Sequence, residues 1–215
     1  MKIRTAEHLY DFTSSELAWR KKELFELRSL VIARTLTPSK KNVLIRSTIA
    51  LIYAHWEGFI KSCATAYIQF VAMQKLRHEQ LSPNFIALAI RPILLSAFQS
   101  KKVKDHQKVV DFFLHELPTQ SSITYQEIID TQSNLSTLVF RNIVETLGFD
   151  YSSYETKEKL LDERLLRNRN RIAHGEYVEV SESEVLELQD ECIGLMEIFR
   201  TQIDNAVTLR VYTTN

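Results

Sequence analysis

Four arginines, two asparagines and a histidine fall within residues 164–174: Arg164, Arg167, Asn168, Arg169, Asn170, Arg171 and His174. Cleavage of RNA by its own 2′-hydroxyl needs a group that moves a proton near neutral pH and a fixed cation for the charge that builds on phosphorus. Histidine supplies the first and arginine the second, without a metal. On this reading His174 is the general acid or base. Arg169 stabilises the phosphorane-like charge or holds the site together, and Asn170 orients the phosphate or the histidine. Arg164, Arg167, Arg171 and Tyr177 are candidates for contacting substrate.

At about 100° per residue, Arg169 shares a helix face with Leu165, Leu166, Ile172 and Ala173, so it should be largely buried. A guanidinium does not shed its charge there and needs an acceptor. Upstream, Arg46, Tyr53 and Glu57 fall on one line with the small Ala50 and Ala64 between them, which makes Glu57 the candidate partner. His174 and Asn170 share a different face, with Arg167 and Arg171 beside them. Arg169 and His174 leave a straight helix about 140° apart. Two arrangements are open: the helix unwinds near Gly175, or His174 and Asn170 of one chain face the arginines of another.

Each of these residues also has a plainer use. Alone, His174 is a helix-end histidine favoured by the negative end of the helix dipole. Arg164, Arg167 and Arg171 equally suit a solvated face or an interface, with Glu163 in i,i+4 reach of Arg167, and Glu57 has Lys61 at the same spacing. His55 points away from Glu57, toward Leu44, Leu51 and Phe59, as a core histidine does. His8, His78, His106 and His115 have no carboxylate or cysteine at metal-ligand spacing, and no phosphate-binding loop, dinucleotide fingerprint or serine elbow occurs. Neither a metal nor a cofactor is expected.

The elements that must position these residues read as helices. Residues 5–34 carry Leu17, Leu24, Leu27, Leu30 and Val31 at helical spacing. Thr37 and Pro38 then cap a long apolar helix over residues 39–76, the expected backbone of the core. Ser82 and Pro83 open a third helix to about residue 100, which Pro92 should kink or split. Residues 101–108 read as a polar break, residues 109–117 as a short amphipathic segment and residues 118–124 as a loop. Ser133 is the expected cap of a helix that Gly148 ends. Ser152 and Glu155 have capping-box spacing and should open the motif helix, which runs to Gly175. Ser181 and Glu184 repeat the box before a last helix with an apolar stripe from Val185 to Ile203, and the alternating tail from Val207 suggests a short strand.

Composition narrows the class. The 215 residues hold 27 basic and 27 acidic side chains, so no global field draws the chain to nucleic acid or membrane, and an RNA site must be local. Four glycines, four prolines and no Asn-Gly or Asp-Gly pair argue against an all-β fold. Cys63 and Cys192 each lie in an apolar helical pattern and read as reduced core residues. No signal-like apolar run opens the sequence, and the apolar stretch 43–60 is broken by Arg46, His55 and Glu57, so a cytoplasmic protein without a membrane span is expected. The fold class is all-α: an up-and-down bundle of long helices with short accessory helices, as one domain over residues 1–215.

Arg169, Asn170 and His174 match the Arg-Asn-x-x-x-His form of the HEPN signature, and Ile172, Ala173, His174 and Gly175 resemble its usual end. Residues 53–61 (Tyr-Ala-His-Trp-Glu-Gly-Phe-Ile-Lys) are similar to the second-helix segment of a bacterial subgroup of HEPN-like nucleases. The two segments cover about a sixth of the chain. The resemblance implies a helical bundle, a homodimer whose motifs face across a cleft, and metal-independent endoribonuclease activity on RNA in defence or toxin systems, with an antitoxin or defence partner. The alternative is a non-catalytic HEPN module that binds RNA, a nucleotide or a partner protein. In toxins paired with minimal nucleotidyltransferases a tyrosine lies two residues after the histidine. Here Glu176 holds that slot and Tyr177 follows, a departure from that group.

Overall fold

A computed structural model describes residues 2–214. Three long helices form the bundle: α1 (Ala6–Val31), α2 (Pro38–Met73) and α8 (Glu182–Thr208). α2 lies at its centre because its apolar residues are spread around the axis rather than along one stripe. Ile49, Ile52, Trp56, Phe59, Ile60, Cys63 and Tyr67 are all fully buried. The remaining helices are α3 (Pro83–Gln99), α4 (Val103–Asp111), α5 (Thr137–Thr146), α6 (Ser152–Glu155) and α7 (Arg167–Ala173). The fold is thus an all-α bundle. Among the described residues there is no strand, only isolated bridges Arg77–Gln120 and Leu81–Thr213.

The capping chemistry accounts for most helix starts. Thr5, Thr37 and Ser136 each accept a backbone N–H on their own side chains, and Ser181 with Glu184 forms a reciprocal capping box. An aromatic cluster fixes the shorter helices to the bundle. Phe140 of α5 meets Trp56 of α2 edge-on at 4.9 Å and Tyr154 of α6 at 4.8 Å.

Several expectations are corrected. Ser136, not Ser133, caps α5, because Ser133 has φ 59° and belongs to the preceding loop. Residues 101–108 are not a break: α4 starts at Val103, and Ser100 donates to Asp105 at 2.6 Å to hold its first turn. Pro92 does not split α3, which is continuous from Pro83 to Gln99. Ser152 caps nothing, since its hydroxyl turns back to Asp150, and α6 is a separate short helix. Among the described residues the C-terminal segment is helical to Thr208 and then turns, with an isolated bridge at Thr213 and no strand.

The motif helix is two-part. Leu160–Leu166 is wound as a π-helix, and α7 continues it in α-form. Leu160, Leu161 and Leu165 are buried, and Asp162 reaches sideways to accept from the Thr137 N–H at 2.9 Å and the Thr137 hydroxyl at 2.6 Å. The wider turn lets the segment present apolar residues to the core and a carboxylate to the start of α5. Such segments often mark functional sites.

Candidate active site

α7 ends in a regular Schellman motif. Gly175, at φ 79°, donates to the Ile172 carbonyl, and Glu176 donates to that of Arg171. The helix is therefore regular to Ala173, and the chain turns out of it at His174 and Gly175. His174 is the C-cap residue, its backbone N–H bonded to the Asn170 carbonyl at 3.0 Å, and its side chain is exposed. Asn170 is half-buried one turn earlier.

Arg169 turns toward α2. Its guanidinium carbon lies 3.8 Å over the Tyr53 ring, and its Nη2 donates to the Ser133 carbonyl at 3.2 Å and to Asn134 Oδ1 at 3.1 Å. Its Nε is buried without a partner. The residue as a whole is half-buried rather than largely buried. Tyr53 is a second anchor, accepting the Leu135 N–H at 2.6 Å. Burial pushes the Tyr53 phenol above its ordinary range, the bond from Leu135 and the neighbouring Arg169 oppose that shift, and Glu57 adds to it. The loop held this way is strained: Gln132 and Ser133 are consecutive left-handed residues, φ 52° and 59°.

The pairing of Arg169 with Glu57 is not formed. No ion pair joins them among the described residues, nor does one join Glu57 to Lys61 or Glu163 to Arg167. The partners of Arg169 are one aromatic face and two neutral acceptors, and the acceptors lie in a loop more than thirty residues away in sequence, which a helical wheel does not reach.

The other arginines are committed differently. Arg164 makes a two-pronged pair with Glu187 of α8, at 3.1 and 2.8 Å. Arg171 Nε donates to Glu176 Oε2 at 2.8 Å, and its Nη2 reaches the Tyr177 carbonyl at 3.3 Å. Arg167 is exposed. Arg46, aligned with Tyr53 on α2, fastens the far side of the motif. Its Nη2 donates to the Glu176 carbonyl at 2.8 Å, and its guanidinium lies 5.5 Å from the centre of the exposed Tyr177 ring. Arg46 thus ties the turn after His174 to α2, and Arg171 ties it to α7. Beside this turn opens a groove of about 570 Å³ lined by Lys41, Arg46, Tyr177, Ser181 and Glu184 among others. Of the two cations lining it, Lys41 is paired with Glu182, whereas Arg46 meets the Glu176 carbonyl and the Tyr177 ring.

His55 is buried, edge-on to Trp19 at 5.3 Å, and Cys63 and Cys192 are buried free thiols, all three as expected. Among the described residues no group of three or more His, Cys, Asp or Glu side chains is gathered as a metal site would require. Nor is any helix long and apolar enough to cross a membrane.

A helical bundle carrying Arg169, Asn170 and His174 on a helix packed against α2 defines a HEPN-type domain. Residues 15–205 match the profile of the RiboL-PSP-HEPN family, and the chain belongs to that family. Membership points to a nuclease-like or RNA-related module. No curated protein and no solved structure gives a significant match.

Proposed function

We propose that the chain is a metal-independent endoribonuclease of the HEPN type, acting in the cytoplasm on RNA. The substrate's 2′-hydroxyl attacks its neighbouring phosphorus, His174 moves the proton and Arg169 supplies the fixed cation. Asn170 positions the phosphate or the imidazole, Arg167 meets the backbone, and Tyr177 offers an exposed ring to a base.

The observation that carries this reading is the set of neutral groups around Arg169. Its partners are neutral, so it is fixed in place yet uncompensated, as a cation must be to stabilise an anionic transition state. Because Arg169 and His174 leave α7 in different directions, the complete site takes them from two chains of a homodimer. A role in defence or toxin systems, with a partner protein, follows from the family resemblance.

Incubating the protein with tRNA in EDTA tests the chemistry. His174→Ala should slow cleavage by at least ~10²–10⁴-fold with helix content unchanged. Activity that vanishes in EDTA and returns with Mg²⁺ would overturn the mechanism. A second reading, a non-catalytic module that binds RNA, a nucleotide or a partner protein, is favoured by Arg164 and Arg171, whose carboxylate partners leave them less to offer the charge that builds on a reacting phosphorus. Retarded RNA migration without cleavage would support it.

A further inference from the structure

Past the turn that ends α7, the chain runs without regular structure until α8 begins at Glu182. Val178 in this stretch and Ile45 of α2, both 4% exposed, are the apolar floor of the groove of about 570 Å³. That volume is usual for a small-molecule site. The backbone beside it is open. The Tyr177 carbonyl accepts from Arg171 and the Ser181 N–H donates to Glu184, but between them no hydrogen bond among the described residues engages the N–H or carbonyl of Val178, Glu179 or Val180. Backbone groups left open along a groove are free to meet a ligand.

The charges of the groove argue against a phosphate as that ligand. Two cations and three carboxylates line it. Lys41 is paired with Glu182 and Arg46 is spent on the Glu176 carbonyl, so no free cation faces the space. Glu184 accepts the Ser181 N–H and hydroxyl as part of the capping box. Glu179 is different: it is exposed, and no ion pair or hydrogen bond among the described residues engages its carboxylate. At the mouth, the Tyr177 ring is held beside the Arg46 guanidinium and is 63% exposed, which leaves area for a planar group to stack. The groove therefore suits a flat, uncharged group whose edge is rich in hydrogen-bond donors.

We infer that this groove is a recognition site for a guanine base. On its pairing edge guanine presents two adjacent donors, N1–H and the 2-amino group, which match the two oxygens of the Glu179 carboxylate. Adenine and cytosine present one donor group beside an acceptor, and uracil one donor between two acceptors, so none of them fills both oxygens. The guanine O6 is an acceptor, and the open N–H groups of residues 178–180 and the Asn42 amide on the α2 wall are the donors available to it. The pairing edge must be free, so the guanine is single-stranded. The identity of the ligand as RNA rests on the nuclease reading: the groove begins at Tyr177, three residues past His174, and would hold a base near the scissile phosphate. The guanine chemistry itself does not depend on catalysis.

The test is equilibrium binding, read by fluorescence anisotropy, of single-stranded 2′-O-methylated oligouridylates carrying one guanosine, inosine or adenosine. Such strands cannot be cleaved by 2′-hydroxyl attack, so binding is read whether or not the chain is a nuclease. The guanosine strand should bind at least tenfold more tightly than the adenosine strand, and the inosine strand, which lacks the 2-amino group, should fall between them. Glu179→Ala should bring the guanosine strand down to the affinity of the adenosine strand, with helix content by circular dichroism unchanged. Guanosine 5′-monophosphate should compete only weakly. Competition as strong as that of the strand, and equally lost in Glu179→Ala, would keep the guanine site and assign it to a free nucleotide. Equal affinity for the three strands, or a guanosine preference that survives Glu179→Ala, would overturn the proposal and leave the nuclease reading standing. A guanosine preference lost in Glu179→Ala, beside a tRNA assay without cleavage, would uphold the site and overturn the nuclease reading alone.

Discussion

Arg20 and Arg169 are both stacked on aromatic rings, and their charges are handled in opposite ways. Arg20 of α1 is 5% exposed, its guanidinium 4.3 Å over Trp19 and 5.8 Å from Phe59, and it donates to the Glu16 carboxylate at 2.7 Å and the Glu16 carbonyl at 2.9 Å. Gly58 permits this approach: a Cβ there would come within 3.2 Å of Arg20 Nη2. Arg169 has the same kind of ring contact but no carboxylate. Both leave Nε buried and unpartnered, so that feature does not distinguish them. The counter-charge does. Arg20 is a closed ion pair within α1, whereas Arg169 is positioned while keeping its charge for something outside the chain.

Removing each arginine should separate the two roles. Arg20→Ala removes a buried guanidinium with its ring contacts and leaves the half-buried Glu16 with only the Trp19 indole N–H, a loss of about 3 kcal/mol. In a chain of this size that is a fall in melting temperature of roughly 10 °C. Cleavage per folded molecule should be unchanged. Arg169→Ala removes one desolvated cation–π contact and two hydrogen bonds to neutral acceptors, so about 2 kcal/mol is expected, together with loss of RNA cleavage. Thermal melts with activity measured well below the transition check both. Equal activity losses for the two variants would erase the distinction.

Tyr53→Phe sharpens the comparison by taking away only the hydroxyl. The ring stays under Arg169, but the N–H of the buried Leu135 loses its acceptor, a cost of about 1 kcal/mol. If the stack alone positions Arg169, cleavage should survive. If the strained Gln132 and Ser133 backbone must also be held for Arg169 to keep its acceptors, activity should fall with stability. Urea unfolding beside a cleavage assay reads the two separately.

What the sequence disclosed is what local chemistry specifies. Thr37, the Ser181–Glu184 box and the left-handed Gly175 each act within one turn of the chain, and the HEPN motif is six residues long. The site's real partners are not local. Arg169 meets Ser133 and Asn134, Arg164 meets Glu187 and Arg46 meets Glu176, each pairing set by tertiary packing. The wheel also assumed an unbroken α-helix, whereas Leu160–Leu166 is π-wound, a change that apolar spacing does not announce. α4 was hidden for a related reason: with no buried face, its sequence reads as polar surface.

The smallest expected effect is the most direct test of whether Arg169 has a counter-ion. Glu57 is half-buried and on the same line of α2 as Tyr53, so spacing alone makes it the natural counter-ion. Yet it bonds neither Arg169 nor Lys61 among the described residues, and its influence reaches the site only as a field that opposes ionisation of Tyr53. Glu57→Ala should therefore shift stability by no more than about 0.5 kcal/mol. A double-mutant cycle makes the point independent of any side effect of either change: E57A/R169A should equal the sum of the single losses to within ~0.5 kcal/mol. If the cycle instead gives a coupling above ~1 kcal/mol, Arg169 rests in solution against Glu57. It would then be a closed ion pair like Arg20, and the positive charge assigned to phosphate would already be cancelled.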